Sequence, residues 1–179
     1  MTRTIAASAR DAAPQLVIAW CTDPGMAETI TRFFVAHVDA AYISHQELQE
    51  GRALAPGAWN PDLAGIIAEE VQAILASDGQ DRAIAVARNG ETLVGLALMS
   101  FRPVDKAPGC YAVVDDLIVS PEARGLGLGR HMVDWLAREA RERGATRLFL
   151  ESGIHNNRAH GFFEKQGFAK LSTVMMREL

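Results

Sequence analysis

The sequence predicts a mixed α/β (α+β) fold, a central, mostly antiparallel sheet flanked by helices. Three observations carry that expectation. Apolar residues recur at helical spacing in three segments. Between the second and third of these the period changes to two, around the hairpin dipeptide Asn89-Gly90. A glycine-rich turn, residues 125–129, then joins an apolar strand to an amphipathic helix. At 179 residues the chain is of ordinary single-domain size and long enough to bury a sizeable core. We therefore expect one domain, residues 14–179, behind a flexible N-terminal arm, residues 1–13.

Leu16 to Cys21 is a short apolar run that reads as the first strand. Asp23-Pro24 then supplies an N-cap and a first-turn proline for a helix extending to about Ile43, with Met26, Ile30, Phe33, Phe34 and Val38 on its buried face. Residues 47–58 carry two glycines and a proline and read as a lid-like connection. Pro61 to Ala76 is a second helix, apolar at Leu63, Ile66, Ile67, Val71, Ile74 and Leu75. Arg82 to Arg88 and Thr92 to Phe101 form the hairpin, and Gly109 to Val119 is the next antiparallel strand after a turn at 103–108. Leu128, Met132, Trp135, Leu136 and Ala140 mark a third helix that Gly144 ends. A strand at Thr146 to Ser152, a helix at Asn156 to Gly167 and a final strand complete the order.

Composition excludes several classes. Charged residues make up 22% and nearly half the chain is apolar, an ordinary globular balance. No apolar run approaches the length of a membrane span or of a secretion signal, so a cytoplasmic protein without a membrane partner is expected. A net charge of −4 and pI of about 5.7 argue against a nucleic-acid partner. Arg138, Arg141, Arg143 and Arg147 cluster, but Glu139, Glu142 and Glu151 interleave with them, as on a solvated helix face. Cys21 and Cys110 lack metal-ligand spacing and read as reduced, largely buried thiols.

The functional signal lies in Val113 to Arg130, VVDDLIVSPEARGLGLGR. Glycines at 125, 127 and 129 remove the Cβ atoms that would hold an anion off the backbone, so N–H groups at a helix start can point at a diphosphate. Arg124 and Arg130 add charge at either end. A Walker loop is excluded because Arg130-His131, not Lys-Ser/Thr, follows the last glycine, and the spacing fits a dinucleotide fingerprint poorly.

Arg124-x-x-Gly127-x-Gly129 resembles the acyl-CoA pyrophosphate loop of the GNAT superfamily of N-acetyltransferases. Asn156, Ala159, Phe163, Glu164, Lys165, Gly167 and Phe168 resemble that family's second CoA-contacting segment. The resemblance implies a GNAT-like fold with a splayed sheet and acetyl-CoA as co-substrate, without a metal. It places the diphosphate on Arg124, Gly125, Leu126, Gly127, Leu128, Gly129 and Arg130, and the pantetheine on main-chain groups of Leu117, Ile118 and Val119. Asn156 would make a polar contact near the thioester, although a helix-start Asn is equally an N-cap. One position departs from the family. The usual tyrosine, thought to protonate the departing thiolate, is Phe163, which can only pack there.

The reaction implied is direct attack of an amine on the acetyl thioester. A primary alkylamine, with a pKa near 10, must lose a proton first, so a base is expected. Asp115 and Asp116 sit beside the expected bulge, and at least one should reach the cleft; Asp116 is preferred. Glu151 is a third carboxylate, with an arginine salt bridge as its plainer role. His155, His160, His37 and His45 are weaker candidates. The acidic chain suits a small cationic amine such as a polyamine, an aminoglycoside-like antibiotic or an amino-acid derivative. Two rivals remain: a protein N-terminus or lysine as acceptor, and a non-catalytic acyl-CoA-binding module, suggested by Phe163. Homodimers are common among proteins with this resemblance, although nothing in the sequence marks an interface.

Overall fold

A computed structural model describes residues 16–105 and 108–178. The arm expected at 1–13 lies outside the described residues, as does part of the 103–108 turn. Five strands form one sheet in the order β1-β4-β5-β6-β7: β1 (Leu16–Cys21), β4 (Arg82–Asn89), β5 (Thr92–Pro103), β6 (Cys110–Val119) and β7 (Ala145–Leu150). All neighbours are antiparallel except β6 and β7, which are parallel. A small hairpin, β2 (Ala53–Ala55) and β3 (Ala58–Trp59), stands apart. The helices are α1 (Ala27–His37), α2 (His45–Gln49), α3 (Leu63–Ala76), α4 (Leu128–Glu142) and α5 (Asn157–Lys165).

Side-chain size on alternate positions of β4 sorts the helices. Ile84 and Val86 face α1 and α3, with Ile30, Phe34, Ile67 and Val71 in the same buried cluster. Ala83, Ala85 and Ala87 face the other way, towards Leu128, Met132, Leu136 and Ala140 of α4. Small residues on that face let α4 sit close to the sheet, and at Gly95 an added Cβ would collide with the Met132 sulfur. Burying each large side chain contributes about 1.5–3 kcal/mol, so the position of α4, and with it the glycine turn at its start, is firmly set. At the far end of α4, Arg143 stacks on Trp20 and Phe101, while Glu139 accepts a hydrogen bond from the Trp20 indole at 2.8 Å. This part of the arginine cluster is structural.

Four expectations are corrected. The first helix stops at His37 rather than Ile43, because Val38 is extended and Asp39 caps a new turn, Ala40–Tyr42. Ser44 and Glu47 then form a capping box that starts α2. The lid-like stretch is therefore α2 followed by the β2–β3 hairpin. Cys21 and Cys110 are half-buried rather than buried. The final strand does not form: residues 169–178 pair with no strand, and Leu171, Val174, Met175 and Met176 are exposed.

Candidate active site

β6 and β7 part company halfway along. Their ladder runs from Cys110–Ala145 to Val114–Leu150 and stops, while β6 continues to Val119. Against β5, the register slips between Leu98–Asp116 and Met99–Val114, so Asp115 is the extra residue of a β-bulge. The resulting splay opens a cleft of about 630 Å³, bounded by β6, the ends of β7 and α5, the start of α4 and the 37–47 segment.

Along β6, Leu117, Ile118 and Val119 all border the cleft. The Leu117 N–H donates to the Tyr42 hydroxyl at 3.3 Å, away from β5. Alternation along an antiparallel strand puts the Val119 main chain on the same side and turns that of Ile118 to β5. Two of the three residues thus turn toward the cleft backbone that no strand pairs, with the Leu117 N–H bonded to Tyr42 and the Val119 carbonyl to Arg124, and Ile118 contributes core packing instead.

Below the splay, Arg124, Gly125, Gly127, Leu128, Gly129 and Arg130 line the floor. Gly127 is the N-cap of α4 in the left-handed region (φ 82°), so the first N–H groups of the helix face the cleft without intrahelical partners. No atom lies within 4 Å of a Cβ added at Gly125 or Gly127, so these two leave an open cradle. Gly129 has another reason: a Cβ there would press on the Phe162 ring at 3.2 Å. The Arg124 side chain donates to the Val119 carbonyl at 3.3 Å, tying the loop to the strand exit. Arg130 is exposed and pairs with Asp134. Leu126 is 77% exposed and borders none of the cleft.

At the other end Asn156 and Phe163 line the wall. Asn156 caps α5 by accepting from the Ala159 N–H at 3.2 Å. The sequence reading missed Phe162, which lies between Gly129 and Phe163.

One of the two aspartates reaches the cleft, as expected, but it is Asp115 rather than the preferred Asp116. The bulge turns both side chains to the α1/α3 side of the sheet. Asp116 is 1% exposed, accepting from the Tyr42 hydroxyl at 2.8 Å and from Arg52 at 3.1 and 3.3 Å. It does not border the cleft. Asp115 borders it, but its carboxylate accepts from Ser100 and lies 3.8 Å from Arg82. Arg52, 1% exposed, joins these groups: it also pairs with Glu70, which in turn holds Arg82, and with Glu50 and Glu47. Burial pushes Asp116 up to about 6, against the pull of Arg52 and Tyr42. Burial also raises Asp115, opposed by Ser100 and Arg82. Tyr42 is pushed well above its ordinary value by burial and by Asp116, so it stays protonated.

Glu151 lines the cleft, bonded to the backbone N–H of His45 at 3.1 Å and to the His45 ring rather than to an arginine. His37 and His155 also border the cleft; the His37 ring is bonded to the Phe33 carbonyl at 2.7 Å, and His160 is not on the wall. Gly153, just past β7, touches the opposite wall: a Cβ there would overlap the carbonyl oxygens of Ala41 and Ile43.

The family model described as the Acetyltransferase (GNAT) family matches residues 46–168. The chain belongs to the GNAT acetyltransferase family. A streptothricin acetyltransferase of Streptomyces lavendulae is 29% identical over 82% of this chain and 78% of that protein. An IAA acetyltransferase of Azospirillum brasilense is 34% identical over 47% of this chain, and the match spans 52% of that relative, about half its length. The crystal structure of a putative acetyltransferase from Arthrobacter sp. FB24 superposes with a TM-score of 0.62 at 26% identity, covering 98% of this chain and 100% of that one. The matched region of this GNAT chain contains the splay, the glycine turn and α5.

Proposed function

We propose that this GNAT chain is an acetyl-CoA-dependent N-acetyltransferase that moves an acetyl group to a primary amine of a small cationic molecule. The observation that carries the reading is the coincidence of the β6–β7 splay with the open cradle at Gly125 and Gly127. The thioester co-substrate supplies the activated acetyl group. Arg124, Arg130 and the N–H groups opening α4 hold its diphosphate, by charge and by the helix dipole. Leu117 and Val119 hold the pantetheine with main-chain groups that no strand pairs, and Phe163 packs an apolar wall beside it. Asn156 contributes its carbonyl to the α5 cap and its amide to the cleft. Residues 14–179 act as one domain, in the cytoplasm; among the described residues no helix is long and apolar enough to cross a membrane.

The acceptor end supports a cationic substrate. Asp39, Glu47 and Glu151 line it, and the Arg52 charge behind Glu47 is matched by four carboxylates. Relatives named for streptothricin and IAA support a small-molecule acceptor rather than a protein.

The test is titration with acetyl-CoA, followed by thiol release across polyamines, aminoglycosides, amino acids and a short peptide. Binding with turnover on one small-amine class is the expected result; turnover on the peptide alone, or no binding, refutes the reading. The missing hydroxyl at Phe163 favours one alternative, an acyl-CoA-binding module, which predicts binding without turnover.

A further inference from the structure

Asp116 is the most buried carboxylate beside the cleft, yet one path connects it to the cleft. Its Oδ2 faces Arg52, and its Oδ1 accepts the Tyr42 proton at 2.8 Å. Tyr42 itself borders the cleft, and its hydroxyl accepts from the Leu117 N–H at 3.3 Å. A tyrosine hydroxyl donates one proton and its oxygen accepts. The proton is committed to Asp116, and the bond from the Leu117 N–H is long, at 3.3 Å, so the oxygen can accept from an N–H donor arriving from the acceptor end.

We propose that Tyr42 is a catalytic residue that accepts a proton from the attacking amine and passes its own proton to Asp116, so that a carboxylate sealed from the cleft serves as its base. This inference rests on the acetyltransferase reading above and extends it to residues outside either family motif.

The step balances within the site. The amine nitrogen bonds to the acetyl carbon as its N–H proton moves to the Tyr42 oxygen and the Tyr42 proton moves to Asp116. The carbon–sulfur bond then breaks, and the same proton returns through Tyr42 to the departing sulfur. An amine that enters as an ammonium ion loses one further proton to water before attack. Phe163 has no part in either transfer.

The surroundings fit a base that is ionised at neutral pH yet able to take a proton. The groups around Asp116 are Tyr42, Arg52 of the α2–β2 connection, Glu47 of α2 and Glu70 of α3. Arg52 keeps the carboxylate charged in a dry site; burial and the two glutamates raise it to about 6, close enough to neutrality to exchange a proton. Tyr42 is a poor acid alone, because ionising it would set two negative charges side by side. It works only as a conduit, gaining one proton as it gives up another.

Tyr42→Phe removes the conduit together with the hydroxyl's bonds to Asp116 and the Leu117 N–H, and keeps the ring that packs against Phe34 and Trp59. The variant is compared with wild type on an alkylamine and on trifluoroethylamine, which is already neutral at pH 7, with acetyl-CoA affinity as the check on folding. We expect affinity within about twofold of wild type and a loss of roughly 100-fold or more on both amines, because in each case the relay takes its proton from the neutral, attacking amine. A loss under about tenfold on either amine overturns the relay. A second readout needs no turnover: in the unliganded protein the Leu117 amide resonance should shift as Asp116 titrates near about 6. It should not do so in Tyr42→Phe, and an unresponsive amide in wild type overturns the chain of bonds. Thiol release by wild type on no amine overturns the acetyltransferase reading and the relay with it, whereas the other failures overturn the relay alone.

Discussion

Replacing Arg52 with methionine keeps the length of the side chain and removes the charge at the centre of the buried network. Asp116, Glu70 and Glu47 are then left close together, with side chains 0%, 13% and 3% exposed. Breaking a buried pair by deleting one partner costs about 3–5 kcal/mol, because the remaining charge stays desolvated. The loss should depend on pH, with a definite sign. Burial raises the Asp116 carboxyl from 3.8 to about 6 even with Arg52 present, and without Arg52 it rises further. A carboxyl raised by folding contributes stability that is whole below the unfolded value of 3.8 and disappears as pH climbs through the folded value. Lowering the pH from about 7.5 to about 5 should therefore return up to about 1.4 kcal/mol per unit to the variant, and less to wild type. Urea unfolding followed by fluorescence of the three tryptophans measures both. A loss below about 1 kcal/mol at the higher pH, or a loss no smaller at the lower pH, refutes the picture of a charge-matched cluster.

Two further outcomes follow from the α4 side of the sheet. Leu136→Ala, at a fully buried position under the alanine face of β4, should cost about 2–5 kcal/mol, read as a lower thermal midpoint with acetyl-CoA binding retained at low temperature. Gly127→Val forces a β-branched residue to φ 82°, costing about 1–2 kcal/mol of left-handed strain and filling the cradle; acetyl-CoA affinity should fall by roughly tenfold or more in calorimetry. Unchanged affinity would remove the diphosphate role from that turn.

Local chemistry was legible and long-range pairing was not. Asn89-Gly90, the glycine turn and the 3.6-residue period of α4 each depend on neighbours in sequence, and the hairpin and helix fall where expected. Ser44-x-x-Glu47 was equally local and could have revealed the α2 start, but the apolar run from Met26 masked the break at Val38. Arg52 pairs with partners 18 and 64 residues away, so no window of sequence contains the cluster. The direction of Asp115 and Asp116 depended on which residue was extra in the register with β5. Alternation alone would separate them, and the bulge brings them to one side. Tyr42, read as part of a helix end, gained its place only through the turn capped by Asp39.

Gly153 has no side chain to offer, yet it sets how far apart the two halves of the cleft stand. Main chain meets main chain there, with the Ala41 and Ile43 carbonyls on one side and the loop after β7 on the other. Such a joint cannot be tuned by small changes: one methyl group would push aside the short turn that carries Tyr42. Acceptor range can therefore drift through side-chain exchange at Gln46, which lines the cleft and bonds Glu50 at the surface, without disturbing the proton path. An alanine at Gly153, usually counted a mild substitution, would be felt at the reacting atoms before any substrate-binding residue had changed.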